Sequence, residues 1–209
     1  MKLNVPVHTQ AENSMLCGQV ALQMFYDYYN IKKSLKQLLK EVKLYQYGTH
    51  VPSLGLNLIE NGFDVTIYSN DSDVLLPSYE KLSEKQLISK LKTNLKNNKL
   101  KFKRFNKTII KFIEAGGKFK IGVVTVDQIK NEIKNKRPSI LNINCRTLYS
   151  ERFGMGGHFV ISSGYDKDNI FVNDPIWLKQ GKGIKKYGFN EMMFSIAHRG
   201  GYVLFAKKK

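Results

Sequence analysis

The order of patterns along this chain predicts an α+β fold, with an N-terminal helical half packed on a C-terminal antiparallel sheet. Two observations carry that expectation. Helical periodicity dominates the first part of the chain, and alternating, β-branched runs joined by a tight turn dominate the last part. A third observation limits the organisation. At 209 residues without an internal repeat, the chain reads as one domain spanning 1–209, with a lysine-rich insertion at about 70–120.

Each element has its own signal. In "LCGQVALQMFYDYY", Val20, Ala21, Met24, Phe25 and Tyr28 recur at helical spacing, which predicts a buried helix from about Cys17 to Tyr29. "SLKQLLKEVKLY" gives a second helix with Ser34 as its N-cap. "VPSLGLNLIENG" gives a third, with Ser53 as cap and Gly62 as a left-handed stop. "DVTIYS" alternates as a short strand. Amphipathic helices are expected at Ser83–Leu95 and Asn106–Ala115, with the Asn/Lys segment between them as a loop. Val126–Lys134 reads as a helix that stops before Pro138. "PSILNIN" is a strand, and "GHFVISSGYD" with "NIFVND" forms a hairpin across an Asp-Lys-Asp turn. "FNEMMFSIAH" is a short helix, and "GYVLFAKK" closes as a strand.

Composition excludes several classes. At 42% hydrophobic and 24% charged, the chain has enough apolar residues for a core. The opening "MKLNVPVHTQ" lacks the apolar stretch of a secretory signal, and no run approaches the ~18 apolar residues of a membrane span. Two cysteines, Cys17 and Cys145, are too few for a disulfide scaffold and suit a reducing compartment. The expectation is a cytoplasmic protein without a membrane span. Net charge is +17, and residues 81–137 concentrate it, with seventeen Lys/Arg against four acids. That segment carries no recognition-helix or zinc-finger pattern, so specific nucleic-acid binding is not expected, and a solvated helical face is.

The chemistry is expected at Cys17. A helix start favours a thiolate through its unpaired N–H groups and dipole. Gly18 lets a substrate backbone approach, and a thiolate nucleophile needs a histidine held by an acceptor. Of His8, His50, His158 and His198, only His158 opens a predicted core strand. Sixteen residues on, "FVNDP" places Asp174 at the end of the neighbouring strand. Gln10 supplies a side-chain amide for an oxyanion hole together with the Cys17 N–H. Each residue alone has an ordinary structural reading. In the order Gln, Cys-Gly helix, His strand, Asp strand, they make a papain-type constellation. Cys145, in "NINCRTLYS", has no such context and reads as structural.

"VPVHTQAENSMLCGQVALQMFYDYY", "RPSILNIN", "GGHFVISSGYDKDNIFVNDP" and "YGFNEMMFSIAHRGGYVLFAKK" resemble the bacteriocin-processing family of papain-like cysteine peptidases, which remove double-glycine leaders. The resemblance implies a papain-like fold, a peptide or protein substrate cleaved through a cysteine nucleophile, and no cofactor or metal. By motif it places the nucleophile on Cys17, the base on His158, the orienting acid on Asp174 and the oxyanion glutamine on Gln10. It also points to a cut after small residues such as Gly. The chain departs from the family in three places. Gln10 lies seven residues before Cys17, one more than the family spacing, Leu16 stands where an acid often does, and the middle is longer. An acyltransferase or deamidase with the same triad, or a non-catalytic peptide-binding module, are the alternatives the residues leave open.

Overall fold

The computed structural model describes residues 1–46, 48–97, 100–149, 156–178 and 182–209. Three helices come first: α1 (Cys17–Tyr28), α2 (Leu35–Glu41) and α3 (Val51–Glu60). Strand β1 (Phe63–Ser69) follows, then α4 (Glu84–Asn97), α5 (Leu100–Glu114), β2 (Lys118–Ile121) and α6 (Val126–Lys134). The C-terminal part holds β3 (Ile140–Asn144), α7 (Cys145–Leu148), β4 (Gly157–Tyr165), β5 (Asn169–Asp174), β6 (Gly183–Gly188), α8 (Phe189–Ala197) and β7 (Val203–Lys208). Among the described residues all seven strands form one sheet, in the order β2-β1-β7-β3-β4-β5-β6.

The α+β class and the helices-first order agree with the sequence. The sheet itself is a correction: it is mixed, and it is not confined to the C-terminal half. β1 and β2 pair in parallel, which requires a crossover, and α4 with α5 supplies it. β1 then joins the C-terminal strands by pairing antiparallel with β7, Val65 opposite Ala206 and Ile67 opposite Leu204. The lysine-rich middle therefore feeds a strand into the sheet edge, whose exposed Lys118 and Lys120 discourage further pairing.

α5 begins six residues before the expected start. Phe102, Phe105, Ile109 and Phe112 recur at helical spacing and bury one face, while the lysines between them occupy the other. Lysine density in the sequence hid that stripe. α3 also starts earlier than expected, at Val51 with His50 as N-cap and Pro52 in its first turn, so Ser53 lies inside the helix. Ser34 caps α2 as expected, with Gln37 returning the bond in a capping box, and Gly62 is left-handed at φ 86°.

The central helix α1 is buried along most of its length, with Ala21, Leu22, Met24, Phe25 and Tyr26 fully shielded. Phe25 and Tyr26 meet Phe63 of β1 at 5.2 and 6.2 Å between ring centres. Burying four or five large side chains contributes roughly 1.5–3 kcal/mol each before entropy is counted. This packing fixes the axis of α1, and so the position of its first residue.

Candidate active site

His158 is the second residue of β4, and Asp174 is the last of β5. The register aligns Ile161 with Asn173, so His158 lies three residues from that pair and Asp174 one. Both offsets are odd, which turns both side chains to the same face. There the imidazole Nε2 and the carboxylate Oδ1 are 2.7 Å apart, both side chains wholly buried. Burial alone would lower the basicity of His158. The Asp174 carboxylate outweighs it, with help from Cys17, and holds the imidazole well above its ordinary 6.5.

Among the described residues Asp174 is gripped by three donors. Besides His158, the Ile176 N–H donates to Oδ1 at 2.9 Å, and the Tyr149 hydroxyl donates to Oδ2 at 2.5 Å. Tyr149 was not identified from sequence. No spacing signal links it to Asp174, since α7, which carries the chain to Tyr149, is only four residues long.

Cys17 is the first residue of α1 and is buried. No side chain caps this helix, and Val20 N–H to Leu16 C=O is its first internal bond. The N–H groups of the first turn precede that bond and are not shared with a side-chain cap. His158 Nδ1 is buried and makes no formed hydrogen bond among the described residues, yet Cys17 is near enough to favour the imidazolium. Nε2 is thus committed to Asp174, and Nδ1 is left for the thiol.

Gln10 joins the same cluster through the N-terminal strap. Its N–H donates to Pro175 C=O at 2.7 Å, directly beside Asp174, and its side chain is buried. Nε2 donates to Ser14 C=O at 2.7 Å and, at the longer 3.5 Å, to the Ser14 hydroxyl. Asn13 in the left-handed region (φ 54°) closes the turn between Gln10 and Cys17, so the seven-residue spacing is taken up locally. The structure sets Cys17, His158 and Asp174 within reach of one another and ties the Gln10 backbone to Pro175 beside Asp174.

Cys145 is nearer to this cluster than its sequence context suggested. It is buried at the start of α7, within electrostatic reach of His158, Asp174 and Cys17. Desolvation pushes its thiol up to about 11, so it stays protonated at neutral pH. A structural role fits.

The glycines beside Cys17 and His158 lie against close neighbours. A Cβ on Gly18 would come within 3.2 Å of Thr49 and 3.3 Å of Phe159. On the same face of β4 as Phe159, a Cβ on Gly157 would fall 2.4 Å from Nη2 of Arg199. The space left open by the glycine before the histidine is therefore occupied by a guanidinium. α8 aims this arginine: its Ser195 hydroxyl accepts from and donates to the Asn144 backbone at 3.0 Å, and Asn144 pairs with Gly157.

Among the described residues no group of His, Cys, Asp and Glu has the arrangement of a metal site, and no helix is long and apolar enough to cross a membrane.

A buried His–Asp pair beside a cysteine at an uncapped helix start is the arrangement of the papain-like cysteine peptidase class. Residues 2–197 match the model of the Peptidase_C39-like family, and the chain belongs to that family. Solved structures agree on the fold. A double-glycine motif protease from an AMS/PCAT transporter, solved in complex with the leader peptide, is 17% identical with a TM-score of 0.54, covering 100% of this chain and 94% of its own. A C39-like peptidase from Bacillus anthracis is 12% identical with a TM-score of 0.59, covering 100% and 98%. The peptidase domain of Streptococcus ComA, a bi-functional ABC transporter of a quorum-sensing pathway, is 11% identical with a TM-score of 0.53, covering 99% and 100%. No curated protein matches the chain.

Proposed function

We propose that this chain is a cysteine peptidase of the cytoplasm that hydrolyses peptide bonds through Cys17, His158 and Asp174, cutting after small residues. The observation that carries the reading is the fully buried 2.7 Å contact between His158 Nε2 and Asp174 Oδ1, which leaves Nδ1 to the thiol. The Cys17 thiolate attacks the scissile carbonyl carbon, and the C=O electrons move to oxygen. The Cys17 N–H and the Gln10 side-chain amide, exchanging its long contact with the Ser14 hydroxyl, steady that oxyanion. As the tetrahedral centre collapses, the C–N bond breaks and His158 gives its proton to the departing amine. Water, deprotonated by His158, then hydrolyses the thioester and restores the free thiol. Asp174 touches no reacting atom; it holds the ring and its charge.

A peptide library incubated with the protein tests this reading. New N-termini are expected with the native chain and none with Cys17→Ala. Equal cleavage by both would remove the assignment.

A further inference from the structure

A groove of about 330 Å³ runs between α3, α5 and the segment of Lys43 and Tyr45. Lys43, Arg104, Lys107 and Lys111 line it over a floor of Tyr45 and Leu56. Arg104, Lys107 and Lys111 recur at i, i+3 and i+7, which puts their charges on the outer face of α5. All three are exposed, and none forms an ion pair among the described residues. Two acids also line the groove, Glu41 and Glu60. Glu41 is already engaged by Lys33 at 2.6 Å and by Asn57 at 2.9 Å, so the free charge is strongly positive.

The groove is tied to the cleft by a single loop. Thr49 flanks Gly18, next to Cys17, while Tyr45 of the same loop floors the groove. A ladder of rings keeps the two in register. Tyr45 stacks on His50 at 3.9 Å, His50 meets Phe105 of α5 at 4.9 Å, and Phe105 meets Tyr202 at 5.5 Å. Burial pulls His50 down to about 4, so this ladder is uncharged at neutral pH.

We propose that this groove is a second binding site for the peptide substrate, one that takes an acidic segment lying outside the residues at the cut. The inference rests on the peptidase reading of Cys17. A peptide fits better than a nucleic acid for two reasons on the same surface. The Tyr45 ring is already engaged, stacked on His50 at 3.9 Å with the Lys43 ammonium 5.3 Å from its centre, so it is a poor platform for a base. Glu41 and Glu60 interrupt the run of cations that a continuous phosphate backbone would need. Carboxylates spaced along a peptide avoid both acids.

The test separates binding from cleavage by using Cys17→Ala protein and fluorescence anisotropy. The probe is a fluorescein-labelled Glu/Ala/Leu peptide, with a Gln-for-Glu peptide as control. The Glu probe is expected to bind ~10-fold or more tightly than the Gln probe and to weaken with salt. Arg104→Glu combined with Lys107→Glu and Lys111→Glu should abolish that difference. In the otherwise native chain, the same triple variant should raise KM for a cleavable peptide carrying an acidic segment and leave kcat, and cleavage of a neutral peptide, unchanged. Arg104→Gln with Lys107→Gln gives a milder variant if the reversal disturbs the fold. Equal affinity for the Glu and Gln probes would overturn the site, whatever becomes of catalysis. So would unchanged affinity in a folded triple variant, or displacement of the probe by single-stranded DNA at lower concentration than by the Glu peptide.

Discussion

The Tyr149 hydroxyl and the Asp174 carboxylate meet at 2.5 Å, on the oxygen that His158 does not use. Asp174 therefore cannot turn without breaking a buried hydrogen bond to a charged group, which is worth about 1.5–3 kcal/mol. Burial, reinforced by the carboxylate, raises the Tyr149 hydroxyl far above its ordinary range, so it remains a donor at any working pH.

Tyr149→Phe should consequently lower stability by about 1–3 kcal/mol and slow turnover by ~10-fold, with KM little changed. Denaturant titration and steady-state kinetics on the same variant check both. Native stability and native kcat would mean that the hydroxyl does not position the acid.

Asp174→Asn removes the charge that holds the His158 imidazolium. Turnover should fall by up to ~10⁴-fold. The pH profile distinguishes this from simple misfolding. In the native chain the imidazolium persists above 6.5, so activity should hold through neutral pH and fall on the alkaline side. In the Asn variant that alkaline limb should move down. The sign for stability is the same. Because the folded value of His158 is raised, its contribution is complete below about 6.5 and is lost as pH rises through the folded value. An alkaline limb unmoved by Asp174→Asn would show that another group holds the histidine.

Much of this site was legible in the sequence, because its parts are local. Cys17-Gly18 at a helix start, His158 opening a strand and Asp174 closing the next across a short turn are each set by neighbours in the chain. The Asp166 side chain confirms that turn by accepting from the Asp168 and Asn169 N–H groups. What escaped depends on contacts distant in sequence. Tyr149 reaches Asp174 from a separate segment, Arg199 lies over Gly157 from the end of α8, and β2 pairs with β1 across the whole α4–α5 crossover. Periodicity reports which face of an element is buried, and carries no information on what buries it.

The glycines before His158 suit small residues at the cut, while the Arg199 guanidinium fills the space beside Gly157 on the face of β4 opposite His158. Library profiling of the native chain should favour Gly or Ala before the cut. Efficient native cleavage after large aromatic or branched residues, with none after Gly, would rule that preference out.

Gly157→Ala makes a related case. The added methyl would meet only the far end of a flexible side chain, at 2.4 Å from Nη2 and 2.7 Å from Nε. The arginine should swing out, so stability should change by less than about 1 kcal/mol. Loss of folding would show that the backbone, and not the arginine, requires glycine there.

The central claim is that Cys17 is the nucleophile, and the two cysteines provide an internal comparison. Both are buried, but Cys17 stands at an uncapped helix start beside His158, whereas the Cys145 thiol is pushed up to about 11. Brief alkylation with iodoacetamide at neutral pH, mapped by mass spectrometry, reads the two thiols in one sample. Cys17 should be modified much faster than Cys145, and Asp174→Asn should slow its modification. Equal labelling, or faster labelling of Cys145, would contradict the assignment of Cys17 as the nucleophile.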